Sequence, residues 1–139
     1  MIIGIGTDII EIHRIENAIG KTKSFFDKVY TDEEKAYYTK KHKKVETLAG
    51  LFAAKEAVSK ALGTGFKSFG MRDIEVIPNN LGKPEVYLYG PAKELAEKMG
   101  ISKVHMSISH CQTYATAFAI AEGGEISGII NTSSNARNR

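Results

Sequence analysis

Residues 2 to 10, Ile-Ile-Gly-Ile-Gly-Thr-Asp-Ile-Ile, constrain this chain more than any other stretch. They are almost all apolar and β-branched, which suits the pleated backbone of a buried strand. Gly4 and Gly6 break the run, and glycine inside a strand marks a place where another backbone comes close. Asp8 then stands as a carboxylate in an apolar strand. Either it caps the helix that follows, or it has a charged partner elsewhere in the fold.

The segments downstream are mostly helical at first. Ile12, Ile15 and Ile19 recur at helical spacing up to Gly20, with Arg14 on the more polar side. A short helix is predicted over Ser24 to Val29. Thr31-Asp32-Glu33-Glu34 has the form of a capping box and opens a third helix, through about His42. The longest helix runs from about Glu46 to Leu62 and stops at Gly63-Thr64-Gly65. Asp73 to Ile77 and Glu85 to Tyr89 read as a hairpin around a turn-forming 79–84, and Pro91 to Gly100 as a last helix. Lys103 to Ser109 and Thr113 to Ala121 alternate as two more strands. Strand, helices, hairpin, helix, hairpin predicts an α+β fold, an antiparallel sheet with a long helix packed on it.

A chain of 139 residues with 42% hydrophobic content can bury a core as one domain without staples. That domain is expected over 1–122. From 123 to 139 the Gly, Ser and Asn content suggests a loosely ordered extension, with Ile126, Ile129 and Ile130 as the residues able to dock. Cys111 is the single cysteine, so no internal disulfide forms and a reducing, cytoplasmic setting is expected. The start lacks a basic leader, and no run reaches the length of a membrane span. The net charge of +3 does not call for nucleic acid. Residues 11 to 44 nonetheless hold nine Lys/Arg against six Asp/Glu and end in Lys40-Lys41-His42-Lys43-Lys44, a solvated helix end or an anion-focusing patch.

On a wheel of about 100° per residue, Leu51, Ala54, Val58, Ala61 and Leu62 cluster in one stripe. Glu56 and Lys60 fall opposite and, four apart, share a face. A surface ion pair is the ordinary reading of such residues. Here the face also carries Phe52 and Ala53 and the helix ends in a Gly-Thr-Gly turn, which favours a ligand. If Asp8 and Glu56 converge, their oxygens suit Mg²⁺, which takes one or two protein carboxylates plus substrate phosphates. His110 is either a hairpin residue or a phosphate binder and proton shuttle. A dinucleotide loop is excluded because Gly4-Ile5-Gly6 lacks the third glycine and Asp8 would repel a pyrophosphate. A Ser/His hydrolase is excluded because no nucleophile elbow is present.

Gly4-Ile5-Gly6-Thr7-Asp8-Ile9 with Glu11 and Arg14, Phe52-Ala53-Ala54-Lys55-Glu56-Ala57 through Lys60-Ala61-Leu62-Gly63-Thr64-Gly65, Gly82-Lys83-Pro84, and Val104 to His110 come in one characteristic order. In these segments the chain resembles the holo-[acyl-carrier-protein] synthases, the short type of 4'-phosphopantetheinyl transferase. The resemblance implies transfer of phosphopantetheine from coenzyme A to a serine of an apo acyl carrier protein, releasing adenosine 3',5'-bisphosphate for fatty acid biosynthesis. It implies Mg²⁺ held by Asp8 and Glu56, with Lys60 as the lysine that contacts phosphate and is a candidate to protonate the leaving group. The serine proton acceptor stays open among Glu56, Asp8 and a metal-bound water. Lys44, Gly63, Gly65, Lys83, Pro84 and His110 are implied as coenzyme-lining positions, and Arg14, Lys21, Phe25 and Lys28 as carrier-binding ones. A homotrimer with the site between protomers is implied as well. Position 51, often basic in the family, is Leu51 here. Modification of another type of carrier domain, or a non-catalytic module binding an acidic protein through residues 14 to 44, are the competing readings.

Overall fold

A computed structural model describes residues 1–124. The strand β1 (Ile2–Glu11) is followed by α1 (Ile12–Lys21), α2 (Lys23–Val29), α3 (Asp32–Lys40) and the long α4 (Val45–Ala61). A 3-10 turn (Met71–Asp73) leads into the hairpin β2 (Ile74–Pro78) and β3 (Pro84–Leu88), then α5 (Gly90–Lys98), β4 (Ile101–His110) and β5 (Tyr114–Gly123). The fold is α+β, as the element order predicts. Two antiparallel sheets form, β1-β5-β4 and β2-β3, so the last strand inserts between the first and the fourth. The extension expected from residue 123 begins differently: Gly123 still belongs to β5, and its N–H donates to the Met1 carbonyl. Ile126, Ile129 and Ile130 lie outside the described residues.

Register decides which face of β1 meets the interior. Gly4 pairs with Ala121, Gly6 with Ala119 and Asp8 with Ala117, and across β5 these rows continue to Val104, Met106 and Ile108. Ala115, Ala117, Ala119 and Ala121 are all buried, so the inner face of the central strand is made of methyl groups alone. Helix α4 packs on it with Ala53, Ala54, Ala57 and Ala61. The contact is close enough that a Cβ on Gly4 would stand 2.0 Å from the Ala61 carbonyl oxygen and one on Gly6 1.9 Å from that of Ala57. The glycines read from the sequence as sites of close backbone approach are therefore that, and the neighbour is the helix backbone.

The single apolar stripe expected on α4 is too narrow. Every residue from Leu48 to Ala61 is buried except Phe52 and Glu56, which are half-buried, and Lys60, which is exposed. Sheet, α1, α3 and the β2–β3 hairpin all pack on it, so a one-sided wheel underestimates its burial.

One polar cluster inside this core was not legible in the residue pattern. Lys55 is fully buried, with Nζ 2.7 Å from Glu34 Oε1, and it also donates to the carbonyls of Met71 and Ile74. Glu34 accepts from the N–H of Thr31 and of Val76, both at 2.8 Å. Burial pushes the Glu34 carboxyl upward, and the ammonium and the two amides pull against it. Thr31 completes the expected capping box and donates its hydroxyl to Glu75. Such a pair contributes little net stability against apolar replacements, but removing one member leaves a buried charge uncompensated.

Candidate active site

Asp8 lies on the inner face of β1, in the row after Gly4 and Gly6, and so points toward α4. It does not cap the next helix: Glu11 holds the N-cap position of α1, with no side-chain bond. Its neighbour is Lys60, whose Nζ donates to the Thr7 carbonyl at 2.9 Å and stands 3.5 Å from Asp8 Oδ1. Glu56 is one helical turn before Lys60. Desolvation raises the carboxyls of both Asp8 and Glu56, and the Asp8 charge raises that of Glu56 further, while Lys60 lowers both. Two acidic groups that feel each other and share one ammonium form a compact, oxygen-donor cluster. Among the described residues no set of three or more His, Cys, Asp or Glu gathers at metal distance. Two carboxylates are the number a Mg²⁺ site with substrate phosphates takes, so the residues present fit that ion.

A cleft of about 230 Å³ opens toward the other end of α4, lined by Tyr37, Glu46, Thr47, Gly50, Leu51, Val76, Pro78, Gly82, Pro84, Ile108 and His110. It is bounded by the start of α4, the hairpin turn and the end of β4. Pro84 and His110, expected from sequence, meet here, and the exposed Lys83 sits between the lining Gly82 and Pro84. Lys44 is the N-cap residue of α4, two positions before Glu46. At about 1.5 Å per residue, Leu51 in this cleft is separated from Glu56 by roughly 7.5 Å along the helix axis. The cleft and the acidic cluster thus share one helix. Leu51 is buried and supplies an apolar wall of the cleft.

Gly63 and Gly65 close the turn after α4 with φ of +84° and +61°, and a Cβ on either would meet nothing within 4 Å. Backbone conformation is what requires glycine there. This turn lies beyond Lys60, at the end of the helix opposite to the cleft. The lining that holds Pro84 and His110 does not include it.

Arg14 and Lys21, seven apart on α1, are exposed on one side of that helix, while Ile12 and Ile15 bury the other. Lys28 is exposed on α2. Phe25, expected as an aromatic anchor, is half-buried against Phe52 and Tyr30, with ring centroids at 6.1 and 6.3 Å. Sequence reasoning missed Tyr37, Glu46 and Thr47 as cleft walls. Nothing local marks them, because they become walls only when the hairpin turn comes to lie beside α4.

A model of the 4'-phosphopantetheinyl transferase superfamily matches residues 4–119. A holo-[acyl-carrier-protein] synthase from Clostridium novyi is 54% identical over 122 residues, covering 88% of this chain and 88% of that protein. The crystal structure of holo-ACP-synthase from Plasmodium yoelii aligns with a TM-score of 0.81 at 40% identity, covering 90% of this chain and 98% of that one. The Helicobacter pylori holo-[acyl-carrier-protein] synthase, solved in complex with coenzyme A, aligns with a TM-score of 0.76 at 32% identity over 85% of this chain and 99% of that one. With motif order, fold and overall likeness in agreement along nearly the whole described length, the chain belongs to the 4'-phosphopantetheinyl transferase superfamily.

Proposed function

We propose that this protein is a holo-[acyl-carrier-protein] synthase that moves 4'-phosphopantetheine from coenzyme A to a serine hydroxyl of an apo acyl carrier protein. The observation that carries this reading is Asp8 of β1 facing Glu56 and Lys60 of α4, the helix whose first half also walls the cleft, in a chain so similar to synthases of that name. In the reaction the serine Oγ forms a bond to phosphorus and the pyrophosphate P–O bond breaks, so adenosine 3',5'-bisphosphate leaves. Phosphoryl-type transfer is mostly positioning and charge neutralisation. Asp8 and Glu56 would hold Mg²⁺, which when bound neutralises the pyrophosphate charge and orients its oxygens.

The chain's own groups supply the remaining work. Lys60, exposed and already beside Asp8, contacts phosphate and can give a proton to the leaving oxygen. Pro84 and the Gly82–Lys83 turn form one wall for the coenzyme, His110 another, and Lys44 a cationic contact for its 3'-phosphate. Gly63 and Gly65 belong near the pyrophosphate. Since they lie at the opposite end of α4 from His110, the complete site draws on two protomers.

That requirement agrees with the outer face of the three-stranded sheet, where Ile5, Ile9, Phe118 and Tyr114 are 61%, 62%, 45% and 42% exposed. Apolar area of this kind is an association surface, and we assign it to a homotrimer. Light scattering should therefore read three times the 15.2 kDa chain mass, and a monomer that is fully active rejects the assignment.

Arg14, Lys21 and Lys28, with the half-buried Phe25, form a basic surface for an acidic carrier, whose approach it steers. Among the described residues no helix is long and apolar enough to cross a membrane. We place the protein in the cytoplasm, with coenzyme A.

Mass spectrometry of an apo acyl carrier protein incubated with this protein, coenzyme A and Mg²⁺ tests the central reading. One phosphopantetheine mass should be gained, and EDTA, Asp8→Asn or Glu56→Gln should abolish the gain. A gain that survives EDTA and both substitutions removes the metal site, and no gain with several folded carriers removes the activity. For the docking surface, Arg14→Glu should raise KM for the carrier about tenfold or more and leave KM for coenzyme A nearly unchanged. Equal effects on both constants would reject Arg14 as a carrier contact.

A further inference from the structure

The reaction described above makes no use of the fully buried Lys55, which directly precedes Glu56. We propose that Lys55 is a positioning residue for the metal pair: its ion pair with Glu34 sets the rotation of α4 about its axis and so aims Glu56 at Asp8. The inference rests on the reading of Asp8 and Glu56 as Mg²⁺ ligands.

Successive residues on a helix point about 100° apart, so any rotation that displaces Lys55 swings Glu56 through the same angle. On the sheet side α4 packs through small residues, Ala57 and Ala61 on Gly6 and Gly4 and Gly50 beside Ile108, and its polar tie there is the exposed Lys60 to the Thr7 carbonyl and Asp8. The small residues fix how near the helix lies, but methyl groups on methyl groups interlock weakly.

The buried directional restraint is on the opposite side. The Lys55 ammonium is held by Glu34 Oε1 at 2.7 Å, the Met71 carbonyl at 2.9 Å and the Ile74 carbonyl. Three acceptors in different directions fix an ammonium far more tightly than one would. Glu34 is itself fixed by the N–H groups of Thr31 and Val76, which belong to the start of α3 and to β2. The anchorage extends one step further, since Thr31 Oγ1 donates to Glu75 at 2.6 Å and the Tyr89 hydroxyl donates to the same carboxylate at 3.0 Å. The strand that supplies Val76 and Ile74 continues to Pro78 in the cleft wall. One buried network thus references Glu56 and the coenzyme cleft to the same frame.

The test uses calorimetric titration of the full chain with Mg²⁺ alone, so that binding is read without turnover. The double variant Glu34→Met/Lys55→Met removes both charges and keeps the volume apolar, and Glu34→Gln keeps the shape while removing the anion. Melting curves establish which variants are folded at the titration temperature. In the folded variants the Mg²⁺ dissociation constant should rise about tenfold or more, as for other residues that orient a metal ligand. In the transfer assay half-saturating Mg²⁺ should rise in parallel while kcat at saturating Mg²⁺ stays near wild type. A pair that only stabilised the fold would move the melting temperature and neither Mg²⁺ constant, and that result overturns the proposal. If wild type binds Mg²⁺ no better than Glu56→Gln does, the metal reading itself fails and takes this inference with it.

Discussion

The structure depends on the distance between one helix and one strand. Gly4 and Gly6 remove side chains from the inner face of β1, the alanines of β5 keep the next strand equally low, and α4 settles until its carbonyls face the glycine Cα atoms. A helix packed on a sheet through leucines would stand several ångströms further off. At the distance realised here Lys60 reaches the Thr7 carbonyl from above and Asp8 reaches up from the strand, with Glu56 one turn away. The chemistry of the site is thus a by-product of small residues in the core.

Close packing of this kind leaves α4 nearly surrounded, and the chain fills the second side with polar groups. Lys55 and Glu34 are fully buried, and their bonds tie α4 to α3, the 3-10 turn and β2. Apolar replacements would fill that space at lower desolvation cost. What charged groups add is direction. They join Glu56 and the cleft, which sit at different heights on α4, to one set of backbone anchors.

Much of this was legible in the residues. Gly4 and Gly6 in an apolar strand announced a close neighbour, Thr31 with Glu34 announced a cap, and Glu56 with Lys60 announced a shared face. Each signal is local, with its period or spacing written in the chain. The burial of Lys55 and the cleft roles of Tyr37 and Glu46 are not local. They depend on where the β2–β3 hairpin comes to rest, and a lysine in a helical run looks the same whether its partner is water or Glu34. The pairing of β1 with β5, between the two ends of the described chain, was equally invisible to a reading by neighbours. The packing of Phe25 on Phe52 is likewise not local, since Phe52 comes from α4.

The most direct test of the account is the Mg²⁺-dependent transfer rate of Gly6→Ala, compared with Gly20→Ala, whose added methyl meets nothing within 4 Å. At position 6 the new Cβ would stand 1.9 Å from the Ala57 carbonyl oxygen, so α4 must move and carry Glu56 and Lys60 away from Asp8. Misplacement by about 1 Å costs on the order of a hundredfold in rate. The account predicts a loss of that size for folded Gly6→Ala and wild-type rates for Gly20→Ala. A folded Gly6→Ala that transfers phosphopantetheine at the wild-type rate would contradict it.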